Sequence, residues 1–172
     1  KSINILMERL FKFGHQKIAL LNVHKSFNYG HQRKVAYEDF HKKHNMQLNP
    51  NYYQESLEQM TFIGSKLTKK VLDLKDPPTA IICSQDKYFI GCLQECQKRG
   101  LEVPKDISLV GYNDHDNYLS SQNLTFISHP LSEMGKMAVE ILEKIENGVA
   151  PKKLSKLIEP ILNKGKSDKK IN

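Results

Sequence analysis

The sequence predicts an α/β fold, a doubly wound parallel sheet, on three observations. Apolar periodicity switches repeatedly between a helical stripe and a short continuous run. The runs Ile18 to Leu21, Thr79 to Cys83 and Ile107 to Val110 are unbroken, as strands covered on both faces require. Each is followed by hydrogen-bonding residues: Val23-His24-Lys25-Ser26, Ser84-Gln85-Asp86 and Asn113-Asp114. In open parallel sheets small molecules bind outside the carboxyl edge, where loops diverge and helix N-termini present free amides.

The elements follow in order. Ile3, Met7, Leu10 and Phe11 make a helical stripe that Gly14 can end as a C-cap. After the Ile18 strand, Val35, Ala36 and Phe40 mark a second helix ending near His44 or Asn45, and Tyr52 to Glu55 is a weak strand. A third helix carries Ile63, Leu67, Val71 and Leu74; Pro77-Pro78 forbids its continuation, because proline lacks an N–H and restricts the residue before it. Asp86 suits the N-cap of a helix running through Phe89, Ile90 and Leu93 to Gly100. Thr125 to Ser128 is a strand broken by Pro130, and Met134, Ala138, Ile141 and Ile145 form a last amphipathic helix closed by Gly148. Leu157 to Leu162 is a final edge strand. Four or five βα units result, with crossovers expected to be right-handed.

Composition narrows the function classes. The chain has 172 residues, 39% apolar, enough for one domain or two small lobes of one ligand-binding unit. No apolar run approaches the roughly 20 residues that span a bilayer, and Lys1-Ser2-Ile3-Asn4 does not begin a signal peptide, so no membrane partner is expected. The net charge of +7 would suit nucleic acid. Much of it, however, is a basic tail (Lys152, Lys153, Lys156, Lys164, Lys166, Lys169, Lys170), read as solvated and frayed from Lys164 to Asn172, with no helix-turn-helix, finger or RNA-binding signature. Cys83, Cys92 and Cys96 are too few for a disulfide scaffold and read as buried thiols; the odd count points to a cytoplasmic location. The seven histidines are scattered, so no metal and no cofactor is expected.

Catalytic patterns are weak. Gly30 stands alone without a phosphate loop, Ser84 lacks the glycines of a nucleophile elbow, and Asp114 and Asp116 on one loop suit caps or solvent better than an acid/base pair. The chain is therefore expected not to be an enzyme. Arg33, just inside the second helix, could instead hold vicinal hydroxyls or a carboxylate bidentately, a surface ion pair being its structural alternative. Amides and hydroxyls beside Tyr29, Tyr88, Tyr112 and Tyr118 fit a polyol or sugar site, although each ring could equally be core.

Several spaced motifs then carry a resemblance. Phe13-Gly14-His15-Gln16-Lys17-Ile18-Ala19-Leu20-Leu21, Tyr29 to Tyr37 with Arg33 inside, Pro77 to Asp86, Gly100 to Asp114, Leu124-Thr125-Phe126-Ile127 and Met134-Gly135 fall in the order found in bacterial LacI/GalR regulators. The chain resembles the C-terminal part of their effector-binding domain. That resemblance implies a periplasmic-binding-protein-like (type I) fold, in which about 1–126 and 157–166 form the C-terminal lobe and about 127–156 is a crossover belonging to the N-terminal lobe. The DNA-binding domain lies outside this chain.

The resemblance also assigns residues. Arg33 matches the effector-binding arginine, Gln85 a position that reaches ligand, and Asn113 a position often held by Asp; Gln59 stands where an aromatic ring often stacks on the effector. Ile3 to Phe13 and Leu93 to Arg99 are placed near a homodimer interface, and Met134 to Ile145 under the first lobe. The implied function is an effector-sensing and dimerisation region of a transcriptional repressor. A small sugar or sugar-like metabolite changes affinity for operator DNA, read through the N-terminal domain; in some Gram-positive relatives a phosphocarrier protein is a further partner. The alternative is an extracytoplasmic sugar-binding protein of a transporter, which shares the fold.

Overall fold

The computed structural model describes residues 1–113, 117–150 and 154–171. Asp114, Asp116, Lys152 and Lys153, singled out above, lie outside the described residues. The elements are α1 (Ser2–Lys12), β1 (Ile18–Val23), α2 (Asn28–Lys43), β2 (Tyr53–Ser56), α3 (Thr61–Leu72), β3 (Ala80–Cys83), α4 (Asp86–Lys98), β4 (Ser108–Tyr112), a short α5 (Tyr118–Ser121), β5 (Phe126–Ser128), α6 (Leu131–Glu146) and β6 (Ile161–Asn163).

The strands form one six-stranded sheet in the order β2-β1-β3-β4-β5-β6. The first five run parallel, and β6 pairs antiparallel at the edge. Its centre is buried on both faces because β1, β3 and β4 are wholly buried along their lengths. Alternation sorts their side chains. Ile18, Leu20, Ala80, Ile82, Val110 and Tyr112 pack with Leu6, Met7 and Leu10 of α1 and Tyr37 and Phe40 of α2. Ala19, Leu21, Ile81, Cys83 and Leu109 pack with Ile63, Leu67 and Val71 of α3 and Phe89, Cys92 and Cys96 of α4. The strand order reverses between β1 and β3, since β2 lies on one side of β1 and β3 on the other. That reversal opens a crevice at the carboxyl edge.

Two glycines set close approaches. A Cβ on Gly91 of α4 would stand 2.0 Å from the Thr61 carbonyl oxygen, so α3 and α4 can touch only through a bare backbone. A Cβ on Gly30 would meet the His24 carbonyl oxygen at 2.5 Å, which lets the first turn of α2 rest on the end of β1. Asn22, in β1, holds that turn by donating to the Gly30 carbonyl at 2.8 Å.

Three expectations need correction. Asp86 is the first residue of α4, not its cap; Gln85 occupies the cap, and the Asp86 carboxylate accepts from the Lys87 amide at 2.7 Å. The second is the tail, which does not fray within its described part, to Ile171. Ser167 donates to the Leu109 carbonyl at 2.7 Å and accepts from the Thr125 amide at 2.8 Å, while the Leu109 amide donates to the Ser167 carbonyl. Buried Asp168 receives Arg9 through two contacts, at 2.5 and 3.2 Å, and the Thr125 hydroxyl at 2.5 Å. Lysine density hid Ser167 and Asp168, the two residues that tie this strap down. Third, α5 has no apolar period to announce it and was not foreseen. Among the described residues no helix is long and apolar enough to cross a membrane.

α6 carries a strong apolar stripe, yet none of its described residues is buried. Leu131, Met134, Val139, Leu142 and Ile145 are all exposed. The amphipathic pattern was legible; among the described residues nothing buries its apolar face.

Candidate effector cleft

A cleft of about 540 Å³ opens at the carboxyl edge, lined by Lys1, Ser2 and Ile3, by Tyr29, Gln32, Arg33 and Ala36 of α2, by Tyr112 and His129, and by Leu157, Ile158 and Pro160. Its contributors follow directly from topology. α2 leaves the end of β1, Tyr112 ends β4 and His129 follows β5; Ser84, just after β3, is not in the lining but accepts from Arg33.

Arg33 is the centre of the arrangement. Its Nη1 donates to the Ser84 carbonyl at 3.1 Å, so the side chain bridges the crevice between β1 and β3. Its guanidinium lies 4.1 Å from the Tyr112 ring centroid and 5.2 Å from that of Tyr29. These rings hold the cation by the negative face of their π-systems, and the Ser84 carbonyl is its hydrogen-bond acceptor among the described residues. The surface-ion-pair alternative is not what the structure contains: the ion pairs among the described residues involve other side chains.

Gln59 and Gln85 form a second group. Gln85 Nε2 donates to Gln59 Oε1 at 2.9 Å, and Gln59 Nε2 donates to the Tyr29 hydroxyl at 3.2 Å. The chain of amides therefore reaches Arg33 through the Tyr29 ring, but neither glutamine lines the 540 Å³ cleft itself. Asn113, next to Tyr112, is half-buried with φ +65° and donates its amide to the Ile127 carbonyl at 2.7 Å. A left-handed backbone is tolerated by asparagine better than by most residues. It too stands outside the cleft's lining.

The tyrosines separate by role. Tyr29 and Tyr112 line the cleft. Tyr88 is fully buried and donates to the Glu58 carbonyl at 2.6 Å, with burial pushing its phenol up to about 12. Tyr118 is exposed on α5.

His129 and Gln32 are the residues that sequence reasoning missed. The signal for His129 was available, since it follows a strand that pairs with β4 and so falls at the same carboxyl edge. Its ring meets Tyr112 edge-on at 5.6 Å. Burial, and then the Arg33 cation, lower its pKa and favour the neutral imidazole. Beneath the cleft, Asn22 Oδ1 and Ser84 Oγ are buried without a hydrogen-bond partner among the described residues. The three cysteines are buried, and desolvation raises the Cys92 thiol well above its usual value, which makes it a poor nucleophile.

Comparisons with known proteins place the chain in a family. The model of the family described as periplasmic binding protein-like domain matches residues 7–167. The chain belongs to that family, in its LacI/GalR form. The ribose operon repressor of Haemophilus influenzae is 33% identical over 142 residues, covering 80% of this chain and 42% of that protein. The HTH-type transcriptional repressor CytR of Escherichia coli is 30% identical over 135 residues, covering 77% of this chain and 39% of that protein. A crystallised LacI-family regulatory protein from Chloroflexus aggregans superimposes with a TM-score of 0.89 at 25% identity, covering 97% of this chain and 60% of that one. The LacI/GalR-type chain thus spans about two-fifths of the length of these curated relatives.

Proposed function

We propose that this chain is the effector-sensing and dimerisation region of a LacI/GalR-type transcriptional repressor, and that Arg33, Asn113, Gln85 and Gln59 contact a small sugar or sugar-like metabolite. The observation that carries the reading is Arg33, held across the strand-order reversal between Tyr29 and Tyr112 with its fork turned to a cleft of about 540 Å³. Planar donors for hydroxyls and flat rings for a sugar's apolar faces are the chemistry of a polyol site. The Gln85–Gln59–Tyr29 chain is satisfied internally, and a ligand hydroxyl entering it exchanges one hydrogen bond for another.

Similarity to repressors favours a regulator over a transport receptor. The exposed apolar stripe of α6 supports the assignment of about 127–156 to an N-terminal lobe, which would supply the opposite wall. On this reading a homodimer presents DNA-reading heads to an operator, and effector binding changes their relative orientation. The work of the site is binding rather than turnover.

A thermal-shift screen of the full-length protein against sugars and their derivatives tests this. A ligand at about 100 times its Kd stabilises the native state by about 2.7 kcal/mol. The expected result is a rise in Tm with at least one sugar derivative that vanishes in Arg33→Ala. A shift retained in Arg33→Ala would place the site elsewhere.

A further inference from the structure

The charges around the cleft are one-sided. Among the described residues its lining contains Lys1, Arg33 and His129 and no aspartate or glutamate. Lys1 is paired at the rim with Glu159. Arg33 has no acidic partner among the described residues: its contacts there are a backbone carbonyl and two aromatic faces. Asp86, the acid that opens α4, accepts from the Lys87 amide through its carboxylate. The polar groups that adjoin Arg33 and Tyr29, namely Gln32, Gln59 and Gln85, are uncharged amides. A half-buried guanidinium favours a fully charged, bidentate partner, since desolvated cations are stabilised by a counter-charge far more than by a neutral dipole.

Resting on the effector-cleft reading above, we propose that the ligand is an anionic polyol, a sugar-sized molecule whose carboxylate or phosphate group docks on the Arg33 fork. His129 is the second contact. It sits against Tyr112, which itself lies under Arg33, so an anion on the fork comes within reach of the imidazole. Among the described residues the titratable and charged groups that share a pocket with His129 are Arg33 from α2, Tyr112 from β4, Lys1 just before α1 and, in a second pocket, Lys156. Burial, and then the Arg33 cation, lower the His129 pKa and favour the neutral imidazole. A bound anion offsets both effects and stabilises the imidazolium, which then donates to it. The tyrosine rings and glutamine amides take the hydroxylated remainder.

Two measurements on the full-length protein test the proposal. The first uses inorganic phosphate as the probe, at ionic strength matched with chloride, and follows the Arg33 and His129 side-chain resonances. Phosphate is expected to shift the Arg33 signals and raise the His129 pKa, and both effects are expected to vanish in Arg33→Gln. The second compares matched ligands by calorimetry: glucose, glucuronate and glucose 6-phosphate, and ribose with ribose 5-phosphate. The anionic member of a pair is expected to bind at least tenfold tighter than its neutral parent, with the difference lost in Arg33→Gln and partly kept in Arg33→Lys. Whether the uronate or the phosphate leads identifies the anion.

A neutral sugar binding as tightly as its charged partner overturns the anion proposal and leaves the effector cleft standing. Phosphate that moves neither Arg33 nor His129 also overturns it. If in addition no sugar of either kind binds, the cleft reading falls with it. A phosphate response without any sugar binder supports the anion site and contradicts the polyol.

Discussion

Asn113 shows how a side chain and a backbone constraint meet in one residue. Its φ of +65° means that alanine there loses both the amide and the conformational ease, because a Cβ residue without a local hydrogen bond is strained in that region. Asn113→Ala is therefore expected to weaken ligand binding by about 1–3 kcal/mol, the cost of an unpaired ligand hydroxyl. It is also expected to lower stability, by about 1–2 kcal/mol. Asn113→Gly separates the two, losing the affinity in calorimetry while holding its urea midpoint. The position of Arg33 at the cleft was legible, since it follows a strand that ends at the carboxyl edge; Gln85 and Asn113 follow strands that end at the same edge, yet stand outside the cleft's lining. Tyr88 was not resolvable from Tyr29 or Tyr112, because a ring's spacing along a helix does not say which side meets the core.

Buried histidines add a pH dependence at the same scale. His15 bonds Thr79 at 2.9 Å and donates from Nε2 to the Lys169 carbonyl at 3.0 Å, while His41 Nδ1 donates to the Tyr37 carbonyl at 2.8 Å. Desolvation lowers both below the ordinary value of 6.5. A histidine whose folded pKa is depressed takes up its proton more readily when unfolded. Its contribution to stability is therefore complete above about pH 6.5 and declines as pH falls toward the folded pKa. Urea midpoints are expected to be level from pH 7 to 8 and to fall between pH 6.5 and 5; a midpoint that rises on acidification contradicts this.

Among the elements, the C-terminal strap departs furthest from its sequence appearance. Seven lysines crowd the chain from Lys152 onward, and charge density of that kind ordinarily marks a solvated segment. Yet Asp168 is fully buried at its side chain and tied to Arg9 and Thr125, so the strap fastens α1 to the sheet. Asp168→Ala leaves Arg9 without its counter-charge and is expected to cost about 3–5 kcal/mol in denaturant unfolding. A change within 0.5 kcal/mol would mean that the strap is an ornament. The α3–α4 contact depends on another feature that a sequence reading passes over: Gly91 is an unremarkable glycine inside a helical stripe, and only the 2.0 Å approach to the Thr61 carbonyl reveals its purpose. Gly91→Ala is expected to destabilise by about 1–3 kcal/mol, as overpacking does, despite alanine's better helix propensity.

For the whole molecule, the fold class followed from alternating periodicity because β1, β3 and β4 are buried on both faces and so read as continuous apolar runs. Strand order did not, since nothing in the local pattern of β2 or β6 says which neighbour each will pair with. α6 marks the boundary of what one lobe explains. With 60% of Leu142 and 55% of Val139 exposed, its apolar face contributes nothing to this lobe's core. Val139→Glu and Leu142→Lys together are expected to leave the Tm of the 172-residue chain within about 2 °C of the parent in a thermal melt, because both side chains are exposed.

The account's central claim is that ligand enters at the carboxyl edge of the sheet, between the ends of β1, β3 and β4. Hydrogen–deuterium exchange of the full-length protein, with and without a ligand found by the thermal-shift screen, tests it most directly. Protection is expected to concentrate in 26–33, 84–89 and 112–113 and at the start of α1 and His129, which line the cleft, with the amino-edge loop 47–52 unchanged. Protection confined to 47–52 would contradict it.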